Sequence, residues 1–152
     1  MAGPDRTTAD AVDLLEALRQ KPYAFHFFQA LRRLECRSRD QPRLGKATRL
    51  ADDPIRLAQE PSLAFAPATL SAFNPGDEHH PPRFSQYFLG LFGPHGPLPV
   101  HLTEYARDRL RNYGDRTFAR FADLFHHRML GLFYRAWADT QPTVSFDRPE
   151  TD

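Results

Sequence analysis

Histidines close to carboxylates are the residues of this chain best suited to metal or proton chemistry. His126 and His127 are adjacent, and Asp123 stands four positions before His127. Neighbouring helical positions point about 100° apart, so the two histidines do not converge on one ion, whereas Asp123 and His127 share a face. Zinc sites normally need three or four protein ligands. We therefore expect two hydrogen-bonded histidines on the flank of a buried helix, or at an interface.

A second group, His95, His101 and Glu104, lies in the stretch GLFGPHGPLPVHLTEY at residues 90–105. It lacks the H-E-x-x-H spacing of zinc proteases, but a metal-dependent enzyme built on these three residues stays open. Glycine permits unusual φ values and proline fixes φ. The segment GPHGPLP therefore suits a rigid turn that directs a strand into a helix. We expect its histidines to brace that turn by hydrogen bonds or to face a partner.

The remaining candidates have simpler interpretations. His79 and His80 stand in a polar loop, and the lone Cys36 sits on an amphipathic helix, where such a thiol is usually packed or inert. The segment LRRLECRSR at residues 31–39 suggests a nucleic-acid-binding adaptor with steeply salt-dependent binding. Its arginines are Arg32, Arg33, Arg37 and Arg39. The sequence has neither a G-x-S-x-G nucleophile elbow nor a G-x-x-x-x-G-K phosphate loop.

Composition narrows the class of protein. The 152 residues carry 20 Lys and Arg against 19 Asp and Glu, and a net charge of +1 argues against a general polyanion binder. One cysteine permits neither an intrachain disulfide nor a cysteine-rich zinc site. No apolar run approaches the roughly 20 residues of a membrane span, and the first ten residues lack a secretory signal. We expect a cytoplasmic protein without direct membrane insertion and without a cofactor.

Periodicity predicts the elements that position these residues. Helices are predicted over 10–20, 24–37, 103–114 and 115–141, and strands over 55–60, 62–66, 83–92 and 143–146. Thr103 and Asp115 are the predicted N-caps of the last two helices, and Gly114 the stop between them. The sequence therefore predicts an α+β fold with N-terminal helices, a small mostly antiparallel sheet at 53–92 and two long C-terminal helices. We expect one domain over 10–148, with a flexible lead at 1–9 and a tail at 149–152.

The segment 118–137 has the strongest helical pattern, with apolar residues at helical spacing over about five turns. The residues predicted to lie in the core are Phe125, Met129, Leu132 and Phe133. Tyr134 and Trp137, whose polar atoms suit half-wet positions, are predicted at the margin of the core or against a partner. A helix so apolar must be covered on more than one side, which indicates a partner surface.

Four stretches together carry a family resemblance. They are FFQALRRLE at 27–35, IRLAQEPSLAFAP at 55–67, FLGLFGPHGPLPVHLTEY at 88–105 and FADLFHHRMLGLFYRAWADTQP at 121–142. Their content and order resemble the TssG family, also called ImpH or VasB, a baseplate subunit of the bacterial type VI secretion system. The third stretch is similar to the family pattern FLGL-x-GP-x-G-x-LP-x-H-x-TE. Phe92 replaces an expected small polar residue, and Leu102 an expected aromatic one.

The resemblance spans residues 10–148 and implies a structural role without catalysis. It implies a wedge subunit that forms a hetero-oligomer with TssF, TssE and TssK, in the cytoplasm at the secretion apparatus docked to the inner membrane. Because members of the family are longer, it also implies that this chain corresponds to the N-terminal half of a TssG-like protein. The expected partner-binding residues are His95, Pro97, Leu98, His101, Glu104, Tyr134 and Trp137.

Overall fold

The computed structural model describes residues 14–147 of the chain. The predicted lead at 1–9 and tail at 149–152 lie outside the described residues, as do positions 10–13 and 148 of the predicted domain. In chain order the elements are α1 (described over 14–20), α2 (Phe27–Arg37), β1 (Arg56–Gln59), β2 (Leu70–Asn74), β3 (Arg83–Gln86), α3 (Val100–Asn112), α4 (Thr117–Ala138) and α5 (Pro142–Asp147). Short 3₁₀ turns occur at Pro22–Ala24 and Leu50–Asp52.

The three strands form one mixed sheet in the order β1-β3-β2. β1 and β3 are parallel, with Leu57 opposite Phe84, and β2 and β3 are antiparallel, with Phe73 opposite Phe84. The predicted α+β class is confirmed, although pairing is divided between parallel and antiparallel where we expected mostly antiparallel strands. The mixture arises because β3 returns from β2 and inserts between the two earlier strands.

Two predicted strands are shorter or absent because side chains take over the backbone hydrogen bonds. β3 ends at Gln86, whose side chain accepts from the Leu89 N–H at 2.9 Å and donates to the Leu89 carbonyl. This closes a turn where the sequence predicted strand to residue 92. Residues 62–66 contain no strand, since the Ser62 hydroxyl accepts from the Ala64 N–H at 3.2 Å. Such local bonds compete with sheet pairing.

The C-terminal helices differ from prediction at their ends. α3 begins at Val100, so Thr103 is a buried residue inside the helix and is not its N-cap. Gly114 stops the helix as predicted, with φ +64°. Asp115 is not the N-cap of α4 as predicted, because Arg116 occupies that position, but its carboxylate accepts from the Thr117 N–H at 2.9 Å. Residues 143–146 were predicted as a strand and are helical in α5. Pro142 can begin a helix, because the first helical N–H has no intrahelical partner.

The prediction of which residues of α4 lie in the core is wrong, because the opposite side of the helix is buried. Phe125, Met129, Leu132 and Phe133 are all exposed, whereas Tyr134 is buried at 1% exposure. The buried side of α4 consists of Ala122, His126, His127, Leu130, Gly131, Tyr134 and Ala138. Hydrophobicity pointed to the wrong side, because two histidines and a tyrosine find hydrogen-bond partners inside the protein and can be buried there.

The main core lies between the sheet, α1, α2 and α4. A second, smaller cluster joins the 90–99 loop to the C-terminal helices, with Phe92, Ala106 and Ala122 buried together. Within residues 14–147, no helix is long and apolar enough to cross a membrane.

Candidate protein docking surface

His127 connects α4 to β1. Its Nδ1 accepts from the Leu57 backbone N–H at 3.0 Å, and its Nε2 lies 2.9 Å from Asp53 Oδ2. A backbone N–H can only donate, so Nδ1 carries no proton and Nε2–H donates to the carboxylate. The neutral tautomer is therefore fixed by its two partners.

His126 makes the same kind of bridge to another segment. Its Nε2 accepts from the Leu91 N–H at 2.9 Å, and its Nδ1 lies 3.1 Å from Asp123 Oδ1. The same argument places the proton on Nδ1. The expectation that both histidines are hydrogen-bonded is confirmed, but they lie on the buried side of α4 and not on the flank of a buried helix.

Side chains of α4 also close the outer edge of β1. The N–H groups of Arg56 and Glu60 donate to carbonyls beside β3, so those of Leu57 and Gln59 point the other way. These two donate to His127 and, at 3.1 Å, to Asp123. Two strand residues span about 6.6 Å and four helix residues about 6 Å, so the spacings match. Edge donors that would otherwise attract another strand are thus satisfied.

The 90–99 loop is held by polar side chains that the sequence analysis did not select. The Gln59 amide accepts from the Phe92 N–H at 2.8 Å and donates to the Phe92 carbonyl at 2.9 Å. Thr103 accepts from the Gly93 N–H at 3.0 Å. In the sequence, Gln59 lies on the same side of the predicted strand as Ile55 and Leu57. A polar residue on an otherwise apolar side indicates a buried side chain with a hydrogen-bond partner, and this signal could have identified Gln59.

Glycine is required at two positions of this loop. Gly90 has φ +154°, and a Cβ there would lie 2.2 Å from Gln59 Oε1. A Cβ at Gly96 would lie 2.5 Å from the Leu91 carbonyl oxygen. Neither backbone nor a doubly bonded amide can move away cheaply, so a larger residue at either position would disturb the loop.

The loop histidines face outwards. Within residues 14–147, neither His95 nor His101 makes a hydrogen bond, and both are exposed, as is Glu104. The bracing role expected of them is filled by Gln59, Thr103 and His126. Across the described part of the chain, no three His, Cys, Asp or Glu side chains are placed to hold a metal ion.

A groove of about 790 Å³ runs beside the loop. His95 and Pro97 form one wall and Phe65 and Phe88 another, with Met129 of α4 at its margin. The His95 and Phe65 rings are 6.5 Å apart across it. The groove thus joins the loop to the exposed side of α4.

That exposed side carries six large apolar residues, which we term the α4 apolar face. Their exposures range from 37% to 57%. The residues are Phe121, Leu124, Phe125, Met129, Leu132 and Phe133. The Phe133 ring contacts Phe28 at 5.5 Å and Phe88 at 6.0 Å, so the apolar surface continues towards α2 and the groove.

Trp137 and Tyr134 differ in position. Trp137 is half-buried and stacks on Phe28 at 4.7 Å, at the margin of the α4 apolar face. Tyr134 is not marginal: its hydroxyl donates to Glu35 Oε2 at 2.9 Å, and burial together with that carboxylate raises its pKa. Its burial removes Tyr134 from the surface that a partner can reach.

Three of the four arginines of the 31–39 segment have contacts within the chain, and Arg33 is exposed. Arg32 donates to Asp147 at 3.0 Å, which lowers the pKa of that carboxyl, and to the Thr143 carbonyl at 3.3 Å. Arg37 and Arg39 also have intramolecular contacts. This segment therefore contributes to packing of α2 against α5.

A loop fixed by side-chain hydrogen bonds, an open groove and several exposed apolar residues on one side of a helix are features of a subunit that docks into a larger protein assembly. The family model for TssG of type VI secretion matches residues 21–152. The chain belongs to the TssG family. TssG is a structural family, so the chain is a component of a type VI secretion baseplate. Neither a curated protein nor a solved structure matches the chain significantly.

Proposed function

We propose that this chain is a structural wedge subunit, which assembles with TssF, TssE and TssK and helps to dock the contractile tail at the inner membrane. The main support for this proposal is the α4 apolar face. Monomeric proteins rarely leave a contiguous apolar patch of this kind in water. The interface cores of assemblies are enriched in phenylalanine and methionine, which are four of the six residues of the face.

The geometry supports a broad contact that includes the loop. The groove connects Met129 on α4 to His95 and Pro97. The proposed contact residues of the loop, the adjoining helix start and the margin of α4 are His95, Pro97, Leu98, His101, Glu104 and Trp137. Because the loop is fixed by Gln59 and Thr103, it would lose little conformational entropy on binding.

The proposal includes a hetero-oligomeric, non-catalytic role without a cofactor, in the cytoplasm. It also includes correspondence of the chain to the N-terminal half of a longer TssG-like protein. The family resemblance supports these points, and they are testable through partner capture.

The experiment is capture of a TssF-type subunit by the purified chain, comparing Phe125→Ser with Phe146→Ser. Both phenylalanines are exposed, but Phe146 lies on α5, away from the α4 apolar face. We expect Phe125→Ser to weaken capture by about tenfold or more, a loss of roughly 1.4 kcal/mol or more. Equal capture by both variants would show that the face is not the contact surface.

A further inference from the structure

Four arginines gather where β1 and β3 begin and α4 starts. Arg56 and Arg83 are direct register partners on the two parallel strands. Arg116 and Arg120 are one helical turn apart at the start of α4. Like charges directly opposite on a sheet are destabilising, so this arrangement has a cost in the isolated chain. We term these four residues the arginine patch.

The guanidinium groups of Arg56, Arg116 and Arg120 all lie within electrostatic range of Arg83. Burial lowers the pKa of Arg83, and the positive charges of Arg120, Arg56 and Arg116 lower it further. Asp123 acts in the opposite direction.

The nearby carboxylate of Asp123 already accepts hydrogen bonds from several groups within the chain. Asp123 accepts from Arg83 at 2.8 Å, but it also accepts from the Gln59 N–H and from His126. Burial raises the pKa of Glu60, although Arg111 and Arg116 oppose this.

Two arginines of the patch are open to a partner. Arg116 and Arg120 are exposed, and within the described chain their guanidinium groups make no hydrogen bond. They lie on the sheet-facing side of the first turns of α4, opposite to Phe125. The patch is thus a second surface, separate from the α4 apolar face.

We propose that the arginine patch docks an acidic segment of a protein partner. Guanidinium groups form strong, planar, two-point hydrogen bonds with carboxylates. Arg116 and Arg120 are about 6 Å apart along the helix, which matches carboxylates one turn apart on a partner helix. The net charge of the whole chain is only +1, which favours a local acidic segment over a long polyanion. The proposal rests on the assembly role above only for the choice of a protein partner.

The test is fluorescence anisotropy of a labelled peptide of alternating glutamate and alanine, titrated with the full chain at low salt. The patch variant combines Arg116→Glu with Arg120→Glu. The matched control combines Arg33→Glu with Arg49→Glu, which are exposed arginines elsewhere and change the net charge equally. We expect the patch variant to lose about tenfold or more in affinity, and the control to stay within about twofold.

Three results would overturn the proposal: no peptide binding by the native chain, equal loss in both double variants, or tighter binding of single-stranded oligothymidine that disappears only in the patch variant. The last would identify a nucleic-acid surface instead. Replacing both patch arginines by lysine should weaken peptide binding less than the two glutamates do, because lysine keeps the positive charge but not the planar two-point geometry. Phe125→Ser should bind the peptide normally, so failure here is distinguishable from failure of the α4 apolar face.

Discussion

The His126 imidazole accepts the backbone N–H of Leu91 at 2.9 Å, and this bond joins α4 to the start of the 90–99 loop. His126 is fully buried, and its other nitrogen is held by Asp123 at 3.1 Å. Replacing Nε2 by carbon would leave the Leu91 N–H without its acceptor, whereas Asp123 would keep Arg83 and the Gln59 N–H as partners.

Replacing His126 by phenylalanine should therefore destabilise the fold despite the gain in hydrophobicity. It leaves the Leu91 N–H without its acceptor, which costs about 1–3 kcal/mol. Urea unfolding of the variant measures this, with His79→Phe in the exposed 74–83 loop as the control. Equal unfolding midpoints for the two variants would show that the bond does not contribute.

Tyr134 and Phe125 should respond to alanine in the opposite order from that indicated by hydrophobicity. Tyr134→Ala removes a buried ring and one of the hydrogen bonds to Glu35, whose other carboxylate oxygen accepts from the Leu44 N–H at 2.8 Å. A buried aromatic replaced by alanine costs about 3–5 kcal/mol, whereas an exposed site such as Phe125 changes stability by only about 0.5 kcal/mol. Thermal melting of both variants checks the order, and a larger loss for Phe125→Ala would contradict the orientation of α4.

The Trp137→Ala variant should affect both the stability of the fold and the binding of a partner. Its stacking on Phe28 at 4.7 Å contributes to stability, so the melting temperature should fall, but less than for Tyr134→Ala. Capture of a TssF-type subunit should weaken as well, because tryptophan at the margin of an apolar patch is a frequent hot spot. Unchanged capture would move the contact towards Phe121 and Leu124.

Cys36 should be a poor nucleophile in the folded chain. Burial raises the pKa of its thiol to about 11, and the nearby Asp147 carboxylate adds to the rise. At pH 8 about one thiol in a thousand is then ionised, so alkylation by iodoacetamide should be far slower than in urea. The rate should increase as pH rises towards 11.

Asp147→Asn provides the matched test of that electrostatic contribution. Removing the negative charge should lower the pKa of Cys36 and speed alkylation at fixed pH. A slower reaction would show that loss of the Arg32–Asp147 pair reorganises the site instead.

Sequence periodicity recovered the α+β class, the long helix and the loop rich in glycine and proline, because these depend on local preferences. It failed on the orientation of α4. The burial of His126, His127 and Tyr134 depends on partners that are distant in sequence, namely Leu91, Leu57 and Glu35. The hydrophobicity pattern contains no information about such partners, so the most apolar side of the helix was assigned to the core.

The candidate surface was recovered in part. A partner surface on this helix was expected from its excess of apolar residues, and the family assignment followed from the resemblance of the four stretches. Gln59 and Thr103, which fix the loop, were not recognised as supports because their bonds to Phe92 and Gly93 cross between elements. The arginine patch was not recognised either, since its members are brought together only by strand register and helix placement.

The pair of bonds from α4 to the edge of β1 has a mechanical consequence. His127 and Asp123 hold Leu57 and Gln59 side by side, so the helix is tied to the strand at two points one turn apart. A force along the helix axis loads both bonds in shear, and they must break together for the helix to slide. A force applied to the exposed side of α4 would therefore be transmitted to the sheet, and the helix would not move independently of β1.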